Sequence, residues 1–148
     1  MSVKEICALD VASIAEENSV LLLWVTMPFL PEGLEVMKAW GFKFKTCAFT
    51  WVKTNKDGSI YMGMGRHTRA NAEICILGTR GKGVPRKDAA VYNTQLAPRG
   101  KHSQKPVQFK NDIIRLYGNG LARLEMFCRE RTGGWDAWGN EVESDIRL

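Results

Sequence analysis

Histidine is scarce in this chain: His67 and His102 are the only two in 148 residues. Each lies in a polar stretch, where a histidine ordinarily faces water. Four cysteines, at 7, 47, 75 and 128, form no CxxC pair. Together these shortages argue against a structural zinc site, which needs four closely spaced sulfur or imidazole ligands. Three of the four cysteines sit inside apolar runs, where a thiol behaves as a small hydrophobe, so the pattern reads as reduced thiols in a cytosolic protein. No apolar run approaches the roughly 18 residues that suggest a membrane span, and the N-terminus carries no apolar signal core. No GxGxxG follows a strand, and Gly63-Met64-Gly65 is only a fragment of that fingerprint. No Ser/His/Asp set occurs with a supporting local motif. Glu32 and Glu35 read as a solvated helix face rather than a catalytic carboxylate pair.

What is present belongs to a folded chain. Apolar residues make up 45% and charged residues 25%, an ordinary globular balance, and the length suits one domain over 1–148. The net charge of +5 favours acidic partners such as nucleic acid. Much of the excess lies in 80–105, where seven lysines and arginines face one acid, Asp88. That stretch is expected to be irregular, either a solvated basic loop or a nucleic-acid contact.

Along the chain, Ser2 and Glu5 fit a capping box for a short helix to about Leu9. Asp10 is expected to cap a second helix through Glu17. Residues 19–26 form an apolar run without alternation, the mark of a strand buried on both faces. Pro31 opens a helix that Gly41 closes, and a strand follows over 45–53, giving a βαβ unit. Asn55 to Gly58 is a turn, 60–71 a glycine-, methionine- and arginine-rich loop, and Glu73 to Thr79 a further buried strand. Pro106 opens a helix carrying Phe109, Ile113 and Leu116 on one face, with Gly118 and Gly120 at its end. Leu124 to Cys128 then reads as a buried strand, 129–134 as a polar loop, and Trp135 to Trp138 as another strand. The acidic tail from Glu141 is expected to fray.

Three residues stand out against this α/β pattern. Lys53 ends a buried strand, where it can reach a ligand anion over the sheet rim or extend to water. Glu125 lies within an apolar strand, where a carboxylate needs a partner: a cationic ligand group or a nearby arginine. Asn140 follows Gly139 after a strand, where an amide can read a flat heterocycle.

The order of Leu21 to Thr26, Ala39-Trp40-Gly41-Phe42, Trp51-Val52-Lys53-Thr54-Asn55, Asn71-Ala72-Glu73, Leu77-Gly78, His102-Ser103-Gln104-Lys105-Pro106, Glu125-Met126-Phe127-Cys128-Arg129 and Trp138-Gly139-Asn140-Glu141 resembles the MT-A70 adenine N-6 methyltransferases across nearly the whole chain. The similarity is closest to bacterial and phage members. The resemblance implies a Rossmann-like methyltransferase sheet with flanking helices, S-adenosylmethionine as cofactor, and action on DNA more than RNA. It implies that Lys53 meets the methionine end of the cofactor, that Glu125 lies beside its charged portion, and that Arg129 reaches the ribose. Asn140 and Glu141 are implied at the adenosine end. The loops at 63–73 and 80–105 would flank a flipped adenine, with Arg66, His67, Arg69, Arg86 and Lys87 as substrate contacts.

Two departures accompany the match. The family's Asp-Pro-Pro-Trp signature, which orients the adenine amine, occurs nowhere in the chain. Met1 to Ile6 resembles a segment lying shortly after that signature, so the domain is expected to be N-terminally incomplete. The 123–128 strand would then carry an unpaired edge able to associate with another chain, as a homo- or hetero-oligomer. Arg66-His67 also stands where relatives often carry an aromatic residue. Without its signature, the chain is expected to be inactive alone; a non-catalytic nucleic-acid- or partner-binding relative is the alternative.

Overall fold

A computed structural model describes residues 1–101 and 104–148; His102 and Ser103, part of one resemblance motif, lie outside the described residues. The chain divides into two compact units, Met1–Tyr117 and Gly118–Leu148. The first contains α1 (Val3–Cys7), α2 (Val11–Ile14), β1 (Ser19–Val25), a 3₁₀ turn (Met27–Phe29), α3 (Leu30–Ala39), β2 (Lys43–Thr54), β3 (Ala72–Arg80), β4 (Thr94–Pro98) and α4 (Val107–Tyr117). Its sheet has the order β1-β3-β2-β4. β3 runs antiparallel to both β1 and β2, and β4 runs parallel to β2. β1 and β2 are therefore parallel, as the expected βαβ unit requires, but β3 is inserted between them.

Alternation along β3 sends its side chains to two different layers. On one face, Gly78 leaves no room for a side chain beneath Met37, and Gly33 of α3 lies against Val25 and Ile76. On the other, Cys75 joins Phe49, Trp51, Ala97 and Phe109 in a buried cluster. Phe109 brings α4 onto this face through ring contacts at 4.9 Å to Trp24 and 5.2 Å to Phe49. Buried indole N–H groups find partners across elements. Trp51 donates to the Ala97 carbonyl at 2.9 Å and Trp40 to the Ile6 carbonyl at 2.9 Å. The result is a mixed sheet with helices on both faces, the layering that the apolar runs imply.

Local signals account for several boundaries. Ser2 and Glu5 form the reciprocal capping box. Gly41 takes φ +84°, its N–H donates to the Lys38 carbonyl, and the Phe42 N–H donates to the Met37 carbonyl. That Schellman closure needs a residue without a Cβ penalty at the left-handed position. Two expectations are corrected here. α2 stops at Ile14 rather than Glu17, and the Asp10 side chain does not cap it. The Asp10 backbone, at φ −79° and ψ 55°, lacks the extended geometry usual at an N-cap; Arg80 instead donates to the Ala12 and Ala15 carbonyls. The 80–105 stretch is not structureless, because it contributes β4 to the sheet. It is also pinned to α4 by a two-nitrogen contact of Arg115 with Asp88 Oδ2, at 3.1 and 3.0 Å, and by the Lys87 N–H donating to the Leu116 carbonyl.

The second unit pairs β5 (Leu124–Met126) with β6 (Asp136–Trp138) in parallel. The expected strand-loop-strand is present, but β5 is short and half-buried rather than a buried strand through Cys128. Phe127, at φ 58°, leaves strand geometry and ends it. The tail is not frayed at Asp145. Its carboxylate accepts from Arg131 Nη2 at 2.8 Å through each oxygen and from the Ala137 N–H at 2.8 Å, and its own N–H donates to the Ala137 carbonyl. Among the described residues, no helix is long and apolar enough to cross a membrane.

The close approach of α3 to β1 yields a test. Alanine normally stabilises a helix interior by about 1 kcal/mol over glycine. At Gly33 the added methyl meets Val25, whose β-branched side chain is stiff, and overpacking of this kind costs about 1–3 kcal/mol. Gly33→Ala is therefore expected to lower the urea midpoint, and Gly33→Ala combined with Val25→Ala to suffer less than the sum of the two single changes.

Candidate functional site

In the first unit, the carboxyl ends of β1, β2 and β4 share one rim, and the start of β3 lies among them. Trp51 of β2 pairs with Glu73 of β3, and alternation places Lys53 on the same face. Glu73 is 7% exposed. Its two oxygens are divided between two ammonium groups: Lys53 Nζ lies 2.9 Å from Oε2 and Lys105 Nζ 2.9 Å from Oε1. Lys53 also lies over the Trp51 ring at 5.2 Å from its centroid, and Lys105 lies 5.6 Å from Trp24 and 5.8 Å from Trp51. Indole faces attract such cations.

Two ammonium groups gather at one carboxylate, and the lysine side chains are 23% and 26% exposed. The cluster can therefore accept a further anion from solvent, such as a ligand carboxylate or phosphate. Burial pushes the Glu73 carboxyl up, but the hydrogen bonds and charges of Lys53 and Lys105 outweigh it and hold the group below its ordinary value. Beside it on the same face, burial drives the Cys75 thiol far up, so Cys75 packs as a neutral side chain and is no nucleophile.

Lys53 occupies the rim as the sequence implies. Glu73 and Lys105 were missed as site residues. The rule that singles out Glu125, a carboxylate within an apolar run, applies equally to Glu73 and was the available signal. Lys105 was hidden among the other basic residues of 80–105.

The glycine-rich loop has a different logic from a phosphate cradle. The backbone at Gly63 packs against Ala70, and that at Gly65 against Thr68, with no room for a Cβ at either. The Arg99 guanidinium lies 3.7 Å from the Tyr61 ring centroid. Arg66, His67 and Arg69 lie exposed at the loop tip, beside Met62 and Met64, the latter 91% exposed. Arg86 and Lys87 are exposed on the separate segment that Asp88 ties to α4.

In the second unit, the segments leaving β5 and β6 bring Arg129 and Glu141 together, with Nε 3.5 Å from Oε1. Such an exposed pair is weak and can yield to a ligand. Asn140 is exposed beside it, and Glu125 is half-buried in β5 opposite Ala137. Gly139 packs on the Cys128 backbone, where a side chain would not fit. Among the described residues, no group of three or more His, Cys, Asp or Glu side chains is placed to hold a metal ion.

A mixed sheet with flanking helices and a polar rim at its strand ends is consistent with a methyltransferase-like α/β fold. The chain belongs to the MT-A70 family, whose family model matches residues 1–141. It is 32% identical over 143 residues to the Type II methyltransferase M.MunI of a Mycoplasma species, covering 96% of this chain and 58% of that protein. It is 26% identical over 149 residues to the N6-methyladenosine RNA methyltransferase MTA1 of Cryphonectria parasitica, covering 95% of this chain and 43% of that protein. Against the human N(6)-adenosine-methyltransferase catalytic subunit METTL3 the identity is 25% over 134 residues, covering 88% and 23%. The chain thus spans 58% or less of the length of these three relatives.

The Glu73 cluster makes a signed pH prediction. The folded-state pKa is lowered, so the ionised carboxylate stabilises the fold fully above the ordinary value near 4.5. That contribution is lost as pH falls through the lower folded value. Glu73→Gln is expected to cost about 2 kcal/mol at pH 7 by leaving two partly buried ammonium groups with a weaker partner. The gap from wild type should shrink on acidification below that ordinary value, as read by urea midpoints across pH. A pH-independent gap would assign the loss to packing.

Proposed function

We propose that this chain is an adenine N-6 methyltransferase-like domain that binds S-adenosylmethionine and engages nucleic acid, DNA before RNA, in the cytoplasm. The observation that carries the reading is the Glu73 carboxylate held between Lys53 and Lys105 at the sheet rim. Its two ammonium groups suit the carboxylate of the cofactor's methionine end, and Lys105 joins Lys53 in that role. When bound, the cofactor supplies an electrophilic methyl group. In the second unit, taken by itself, the residues that the family resemblance assigns to the cofactor are Glu125, Arg129, Asn140 and Glu141. Membership in the MT-A70 family supports the assignment, and MTA1 of Cryphonectria parasitica is by name an RNA methyltransferase. In the first unit, the cations at the rim fit the carboxylate of such a cofactor.

The nucleic acid would meet the exposed Arg66, His67 and Arg69 of the glycine loop, together with Arg86 and Lys87. Such contacts displace counterions, so binding to an adenine-containing duplex should weaken steeply between about 50 and 200 mM salt. Affinity unchanged over that range would remove nucleic acid from the reading.

Binding and transfer separate in this chain. No Asp-Pro-Pro-Trp occurs in its 148 residues, and the groups that orient the adenine amine are those implied for that signature. Misplaced geometry costs orders of magnitude in rate. Purified chain is expected to bind S-adenosylhomocysteine by calorimetry, to lose at least about tenfold in affinity (1.4 kcal/mol) in Lys53→Ala or Lys105→Ala, and to transfer no methyl group to adenine-containing DNA. Robust turnover would sink the proposed inactivity. Nucleic-acid binding without any cofactor binding would favour the second reading, a non-catalytic relative, which the missing tetrapeptide motivates.

A further inference from the structure

Glu73, Cys75, Leu77 and Thr79 alternate along β3, so they share one face of the sheet. Glu73 belongs to the rim described above. Leu77 lies four residues on, roughly 13 Å along the strand, toward the end where β1 and β2 begin. The buried cluster of Phe49, Cys75 and Phe109 separates the two ends. Beyond that cluster lies a cavity of about 340 Å³. Ala48 and Leu77 line it from the sheet, Leu116 from α4, and Val91 from the segment after β3. Its volume falls within the range of about 300–1,000 Å³ that small-molecule sites occupy.

The segment 82–91 forms one wall and is pinned on both sides. The Lys82 N–H donates to Asn18 Oδ1 at 2.8 Å, and Gly83 packs against the Thr79 side chain. Further on, the Lys87 N–H donates to the Leu116 carbonyl at 2.6 Å, and Asp88 accepts from Arg115. Bonds between separate elements therefore hold the walls apart. Lys82 and Arg86 also line the cavity, and both are exposed, which puts their charges at its mouth. The acid nearest to Arg86 in sequence, Asp88, is already taken by Arg115 and by the Ala90 N–H. Apolar walls beneath two cations select a ligand with two parts. An apolar body gains by covering the walls, and an anionic head gains charge-assisted hydrogen bonds at the mouth.

We propose that this cavity binds a small carboxylate with a compact apolar body, an aromatic acid for example, whose carboxylate Lys82 and Arg86 hold. A guanidinium fork matches a carboxylate through two hydrogen bonds, and Lys82 adds a second charge. A nucleic-acid backbone would satisfy the cations and leave the walls uncovered; a neutral hydrophobe would do the reverse. The site lies at the opposite end of the sheet from the Glu73 rim and does not rest on the cofactor reading.

The test reads the cavity through a thiol. Cys47 lines it and is half-buried; Cys7 is half-buried elsewhere, and Cys75 and Cys128 are buried. The full chain is alkylated with iodoacetamide and each cysteine is followed by peptide mass spectrometry, with Cys7 as the internal control. Saturating naphthoate should slow alkylation of Cys47 at least tenfold and leave Cys7 unchanged. The half-protecting concentration should rise tenfold or more in Lys82→Gln combined with Arg86→Gln. It should rise as much for uncharged naphthalenemethanol on wild type, an arm that decides the matter even where the double variant does not fold. No protection of Cys47 by millimolar naphthoate would overturn the proposal, and so would equal protection by naphthalenemethanol. Protection by S-adenosylhomocysteine would give the cavity to the cofactor, and protection by a short oligothymidylate would give its cations to nucleic acid. Protection that grows with protein concentration alone would seat a second copy there. Each of these three results would also overturn it.

Discussion

A carboxylate with 7% exposure at the start of a central strand is tolerable only if its charge is answered inside the fold. Glu73 is answered twice, and each answer joins a different part of the chain. Lys53 ties the end of β2 to the beginning of β3. Lys105 ties the segment between β4 and α4 to the same point. Lys105 therefore cannot leave the rim without uncovering a buried charge, and α4 begins two residues later at Val107. Trp51 sits in the middle of this arrangement. Its ring lies beneath both cations, its indole N–H holds β4 through Ala97, and it is itself almost wholly buried. Breaking one ion pair would loosen the second and disturb the seating of the tryptophan between them.

The layering of the first unit was legible in sequence because it depends on burial periodicity. Apolar runs without alternation identified β1 and β3, and the Pro31 and Gly41 signals bounded α3. The order of the strands was not legible. That β3 lies between β1 and β2 is a pairing of distant segments, with no local signature beyond apolarity. β4 escaped for a related reason. Gln95, an exposed Leu96 and Pro98 look like loop residues, and only pairing with β2 makes them a strand. Pro98 can end it because a proline at a strand terminus has no required N–H to offer. The tail was misread because composition counts its acids without seeing Arg131, which takes Asp145 through both carboxylate oxygens.

The candidate site divides along the same line. Lys53 was visible because its position at a strand end is a one-residue argument. The Lys53–Glu73–Lys105 cluster is a three-segment argument and needed coordinates. The glycine loop reversed its apparent meaning. Gly63 and Gly65 resemble part of a ligand-binding fingerprint, but their immediate work is to let the loop's two arms touch, which displays Arg66, His67 and Arg69 at the tip. Arg129 and Glu141, placed separately by resemblance, turned out to share an ion pair.

Two features remain that folding alone does not require, and they point the same way. A carboxylate buried with its ion-pair partners is often matched or exceeded in stability by well-packed apolar side chains of similar volume, so folding alone does not call for Glu73 between two partly exposed lysines. A phenylalanine in the left-handed region is likewise inferior to glycine for turning a chain. Each costs stability in a different currency, desolvation in one and backbone strain in the other. Both occur where segments leave parallel strands at their carboxyl ends, the position from which side chains reach a ligand over an open α/β sheet.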